Sequence, residues 1–355
     1  MKRQHRFRFD EACHFREGKA LVRVESKWGY IDSAGRWVAE PQFDKGWCFS
    51  EGMAAVKRDG KWGYLAPDGT LHFWGLWERT YGFWGGLAIV ERDGKRGYMN
   101  KAGETVIEPR FDEAMCFEAA VAGVKQGDKY GLIDKSGRVV LDPRFDDVDE
   151  FCGGMCRVEM DGKHGYVDDQ GRLAIPPRFD GAEYFHEGMA AVQLDGKWGF
   201  VNKGGQLVIE PQFLRVSWGF SEGLASVHTE RHQFGFIDQT GRMVIPPQFM
   251  HARSFSEGLA LITYACRPHK DGFINRGGEL LVDLDRRTSY SSFAEGLAHG
   301  RKEFDFGYKS GFIDKTGSWV IPPQFDHAED FEGGLAWVGI EDKYGCINKQ
   351  GEVVF

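Results

Sequence analysis

The sequence holds no apolar run long enough to cross a bilayer, and its basic start, MKRQHRFRFDEACHF, lacks the apolar stretch of a secretory signal. Neither a membrane span nor export is expected. Basic excess is missing too: 45 Lys and Arg stand against 53 Asp and Glu, a net charge of −8. The counterion-release term behind general binding to nucleic acid or anionic membranes therefore has no source. The seven cysteines are odd in number and scattered, and a chain of 355 residues needs no disulfide staples, which points to a reducing cytoplasm. No Ser/Pro linker, low-complexity tract or block of like charge divides the chain, and no P-loop occurs. Nothing calls for a cofactor.

What the chain has instead is glycine, 48 residues of it, within a composition of 42% hydrophobic and 28% charged residues that suits a folded protein. The glycines keep a period. The clearest copy is FDGAEYFHEGMAAVQLDGKWGFVNKGGQLVIEPQ, Phe179 to Gln212, whose KWGF glycine is Gly199. Matching glycines stand at Gly29, Gly63, Gly97, Gly131, Gly165, Gly235, Gly272, Gly311 and Gly345. A second ladder, the EG glycine, runs in the same register from Gly18 to Gly334, with Ala120 as its one replacement. Two markers in step across ten copies define one domain over 1–355, an all-β array of three-stranded units of about 34 residues.

Each unit has a readable grammar. Met189 to Val192 predicts the first strand, with Ala190 and Val192 on one face. Ala191 lies on the other, where other copies carry Arg157 or Trp337, and this variable face is expected to be exposed. Asp195-Gly196 predicts a primed hairpin turn. KWGFV makes the second strand, its Gly199 leaving room for close approach and its aromatic residues forming a stacked column. An Asp or Asn three residues before a glycine, as Asp32 before Gly35, marks the next turn. The third strand ends at Glu-Pro or Pro-Pro, because proline has no donor for the ladder. A link then joins an aromatic to an acid, as at Phe43-Asp44 and Phe325-Asp326.

The segments KWGYIDSAGRWVAEPQFD (Lys27 to Asp44), FSEGMAAVKRDGKWGY (Phe49 to Tyr64) and FSEGLASV (Phe220 to Val227) resemble the pattern of the WG-repeat proteins, found widely in bacteria. The resemblance covers Phe9 to Phe355. It implies an interaction module and brings no catalytic residues with it. The chain opens at a link, Arg8 to Asp10, and stops within a third strand, Gly351 to Phe355. An open superhelical array is favoured. A closed toroid or propeller-like ring, in which the first residues complete the last unit, is the alternative.

Candidate reactive groups have plain readings. Asp32, Asp134, Asp168, Asp238 and Asp314 share one phase of the repeat and read as turn residues, since an acid/base pair needs unlike surroundings. Cys152 and Cys156 lack a second ligand pair for zinc. His228 and His232 read as turn residues. Ser221 sits in a GxSxG pattern, Gly219 to Gly223, but FSEG is a repeat element rather than a strand-to-helix elbow.

The informative places are where the repeat breaks. One is WGLWERTYGFWGG, whose Trp74, Trp77 and Trp84 could stack on a sugar or another small ligand. The other is three successive hairpins with enlarged tips, where the EG-to-WG spacing grows from 11 to 12, 14 and 15. They carry His228, Arg231, Arg267, His269, Lys270, Arg301, Lys302 and Phe304. Eight basic against seven acidic residues between Thr263 and Gly311 argue for mixed protein contact and against nucleic acid. The expected function is a non-catalytic scaffold for a protein or peptide partner. Carbohydrate or small-ligand binding through the tryptophans is the alternative, and an enzyme built from divergent units the remote one.

Overall fold

In the computed structural model, residues 8–217, 219–229, 233–264, 270–285, 288–305 and 307–355 are described. Every unit is antiparallel β structure. In the unit that starts at Phe179, the first, second and third strands are Met189–Leu194, Lys197–Asn202 and Leu207–Phe213. Asp195 and Gly196 both have positive φ, 48° and 75°, as the hairpin requires. At the WG glycine the third strand shifts register and its backbone closes on the bare Cα: a Cβ at Gly29 would meet Ala39 O and Pro41 N at 2.8 Å. The turn acids work as expected, Asp32 Oδ1 accepting from Ala34 N and Arg36 N, each at 2.9 Å.

Three strands per unit is one too few. The link forms a fourth, a two-residue strand such as Lys45–Gly46 in some units and a six-residue one such as Gly181–His186 in others, paired to the first strand. The link acid anchors it: Asp44 takes Lys27 Nζ at 2.5 Å on one oxygen and Asp59 N at 2.9 Å on the other. The bond from Lys27 holds the Asp44 carboxyl below its ordinary range. One strand, Met243–Ala252, runs through the third strand of the seventh unit and the link of the eighth, joining two units in a seven-stranded sheet.

The core lies between units. One cluster joins Ala191, Phe200 and Ile209 of the sixth unit to Phe220, Ala225 and Ile237 of the seventh. Ala190 and Val192 pack the other way, against the fifth. The variable face is therefore corrected from exposed to buried: Ala191 is fully covered and Trp337 is 3% exposed, because each sheet is sandwiched between two others. The aromatic residues do not form a stacked column either. In eight units the ring that follows the WG glycine meets the phenylalanine ahead of the next unit's first strand edge-on or tilted, as Tyr98–Phe117 and Tyr166–Phe185 do at 4.8 Å, the geometry that suits their quadrupoles.

Among the described residues, ten units share ten such clusters, and the tenth decides the closure. It packs Phe9, Ala20, Val22 and Ile31 of the first unit against Trp337, Cys346 and Phe355 of the last. Phe9 pairs with Tyr344 as Phe43 pairs with Trp28, and Asp10 binds Lys343 at 2.5 Å as Asp44 binds Lys27. An open array of ten units has only nine seams. The favoured open superhelix is thus replaced by its alternative: the chain ends meet, and the array is a closed ring of sheets.

Candidate functional site

The three tryptophans of the first break do not form a platform. Trp77 is 6% exposed, packed in the seam between the second and third units with the Arg92 guanidinium 4.4 Å from its ring. Trp74 is half-buried, lies against Gly63 and carries Arg58 at 5.1 Å. Only Trp84, at a strand end and 45% exposed, is free to meet a ligand. Trp77 leaves the set of candidate contacts because it takes the link-phenylalanine position, and that position faces the core.

The enlarged tips are also reshaped. Arg231, Arg267, His269 and His232 lie outside the described residues. His228 is half-buried and packs on Phe234 with ring centroids 4.7 Å apart. Lys270 and Lys302 are engaged in ion pairs, with Asp283 at 2.9 Å and Asp285 at 3.1 Å. At the ninth unit's hairpin, Phe304 is 48% and Tyr308 50% exposed, with the Arg301 guanidinium 4.8 Å from the Tyr308 ring. Phe304, Tyr308 and Pro323 border a cleft of about 540 Å³.

Sequence motifs with a chemical flavour are absorbed by the fold. The Ser221 hydroxyl donates to Phe255 O at 2.7 Å, one seam away, which ties two units together. Cys156 is buried, and burial pushes its thiol up to about 12. Among the described residues no three His, Cys, Asp or Glu side chains are grouped to hold a metal ion.

One thiol departs from this pattern. At the first seam a hydrogen bond from Cys13 pulls the Cys48 thiol down to about 7, with Arg16 and His14 adding positive charge, whereas burial pushes Cys116 up to about 11. The thiolate is the nucleophile, so its fraction sets the rate of alkylation. Pulse labelling with iodoacetamide, read by peptide mass spectrometry, is expected to speed up at Cys48 as pH rises through about 7 and then level off. Cys116 should stay slow over that range. Equal labelling of the two across neutral pH would remove the hydrogen-bonded pair.

A cavity of about 890 Å³ opens at the eighth unit. Its origin is two missing rings. Where other units place Trp28 or Trp198, this one has Asp271, and its third strand, Leu280–Asp283, stops after four residues, short of the position at which Phe43 closes the first unit. Phe234, Arg253, Thr263, Asp271, Thr288 and Tyr290 line the space. The Asp at a WG position was visible in the sequence. Its consequence was not, because a cavity needs the neighbouring ring to be absent as well.

Comparisons with known proteins follow the same division. No curated protein matches the chain. A crystal structure of a eukaryotic initiation factor superposes with a TM-score of 0.53 at 11% identity, covering 96% of each chain, a likeness of fold alone. The WD40 domain of SCAP from fission yeast is similar at 6% identity with a TM-score of 0.38, over 97% of this chain and 96% of its own. The family model of the WG containing repeat matches residues 6–28, 28–62, 97–130, 130–163, 165–198, 198–228, 234–264 and 311–344. Its two longest gaps are 63–96, which holds the three tryptophans, and 265–310, which holds the later enlarged tips and five of the sixteen residues of the cavity wall, Asp271 among them. Matched over well more than half its length and built from that unit throughout, the chain belongs to the WG-repeat family.

Proposed function

We propose that the chain is a non-catalytic binding scaffold, working in the cytoplasm, that presents its β-repeat surface to a protein or peptide partner at the ninth unit's tip. The repeat fold is of a binding or scaffold type, and strand arrays supply broad, rigid surfaces. The observation that carries the reading is the pairing of two half-exposed aromatic residues, Phe304 and Tyr308, with Arg301, beside a cleft bordered by Pro323. Tyrosine and arginine dominate the energetics of protein interfaces, and large rings exposed on a rigid hairpin lose little entropy on binding. Neither nucleic acid nor membrane is part of the proposal.

The test is capture from native lysate with the wild-type chain, a Phe304→Ala/Tyr308→Ala variant, an Arg301→Ala/Lys302→Ala variant and Trp84→Ala. The two tip variants are expected to lose a retained partner by about tenfold or more, the effect of removing a hot spot, while Trp84→Ala keeps it. Undiminished capture by both tip variants would sink the reading. Glycan-dependent fluorescence changes abolished by Trp84→Ala would turn it toward carbohydrate binding.

A further inference from the structure

We propose that the cavity of the eighth unit binds a small ligand with an ammonium group beside a carboxylate or carbonyl, an amino acid or the amino end of a short peptide, with Asp271 as its anchor. The inference is independent of the tip contact, since the cavity residues named below include none of Arg301, Phe304 or Tyr308.

Asp271 is half-buried, and its Oδ1 accepts from Thr263 Oγ1 at 2.6 Å. Among the described residues nothing donates to Oδ2, and the adjacent Lys270 is turned to Asp283 at 2.9 Å. A carboxylate part-removed from water with one oxygen open toward a cavity is best complemented by a cation from outside. Phe234 and Tyr290 line the same space, and aromatic rings attract ammonium groups. Arg253 also borders it, exposed and without an ion-pair partner among the described residues, and a guanidinium suits a carboxylate or carbonyl oxygen.

Thr288, 3% exposed, lines the cavity beside Tyr290, to which its side chain is hydrogen-bonded. The two charges select the ligand. A phosphate would meet Asp271, an uncharged sugar would leave both charges unused, and a zwitterion answers each. About 890 Å³ lies within the range of small-molecule sites and leaves room for two or three residues of peptide.

Calorimetric titration with phenylalanine, alanyl-phenylalanine and the N-acetyl form of each tests the proposal on the intact chain. The free amines are expected to bind and the acetylated forms to bind about tenfold more weakly or worse, the effect of losing one charge-assisted hydrogen bond. Stronger binding by the dipeptide points to a peptide end, and by phenylalanine to a free amino acid. Asp271→Asn, which keeps the shape and an acceptor for Thr263, should weaken the amines about tenfold at an unchanged melting temperature. Arg253→Ala, at an exposed position, should weaken phenylalanine and spare its methyl ester. No heat from either amine at millimolar concentration, or equal affinity for acetylated and free forms, overturns the proposal. So does an Asp271→Asn variant that folds and binds as wild type.

Discussion

Phe9→Ala is expected to lower the free energy of unfolding by about 3–5 kcal/mol, the cost of emptying a fully buried phenylalanine site. Phe9 has no exposed surface, and it meets Trp37 and Trp337 edge-on with ring centroids 6.0 Å away. Its backbone is held as well, Tyr344 N donating to Phe9 O at 2.8 Å. Such a loss is ordinary for a core residue. It is not ordinary for a residue so close to the start of an open array, where an end aromatic would be solvated and its removal would change stability by less than about 0.5 kcal/mol.

Phe43→Ala provides the comparison. Phe43 fills the same position at the end of the first unit and is equally buried, so the local packing loss is matched. If the ring is closed, the two variants shift the urea midpoint by similar amounts, and the Phe9 variant also frees Phe355, 6.5 Å from it across the seam. If Phe9→Ala leaves the midpoint unmoved while Phe43→Ala lowers it, the tenth seam does not hold in solution.

How much of this was legible follows from which interactions are local. The hairpin at Asp195-Gly196, the Asp32 turn and the close approach at the WG glycines each depend on a few neighbouring residues, and each can be read from them. The closure depends on the angle between successive sheets added up around ten units, and no residue pattern states that angle. Burial on the variable face was missed because strand alternation distinguishes inside from outside only when one face is wet. Here both faces are dry, and Arg157 lies on that face by pairing with Asp149 at 2.6 Å. The tryptophans show the same limit. Trp77 and Trp84 are seven positions apart in one divergent stretch, yet one occupies a core position and the other a strand end.

The WG glycine makes the second large prediction, and it separates two reasons for glycine that the sequence does not distinguish. A Cβ at Gly131 would meet Leu141 O at 2.7 Å and Pro143 N at 2.8 Å. Both are backbone atoms of the third strand and cannot rotate aside. Gly131→Ala must therefore push that strand away, at the step where Tyr130 pairs with Phe145 and Leu132 with Leu141. Phe145, fully buried, would be drawn out of the seam with it. Overpacking of this kind costs about 1–3 kcal/mol, and loss of the adjoining pairs and the packing of Phe145 adds to it, so about 3 kcal/mol or more is expected. Gly162 differs: its φ is +71° and nothing lies within 4 Å of an added Cβ. Gly162→Ala strains only its own backbone, at about 1–2 kcal/mol. Urea unfolding of the two variants side by side decides the matter. Equal destabilisation would mean that the third strand can yield at no cost, and the repeat's most regular residue would then be explained by chain geometry alone rather than by the contact between strands.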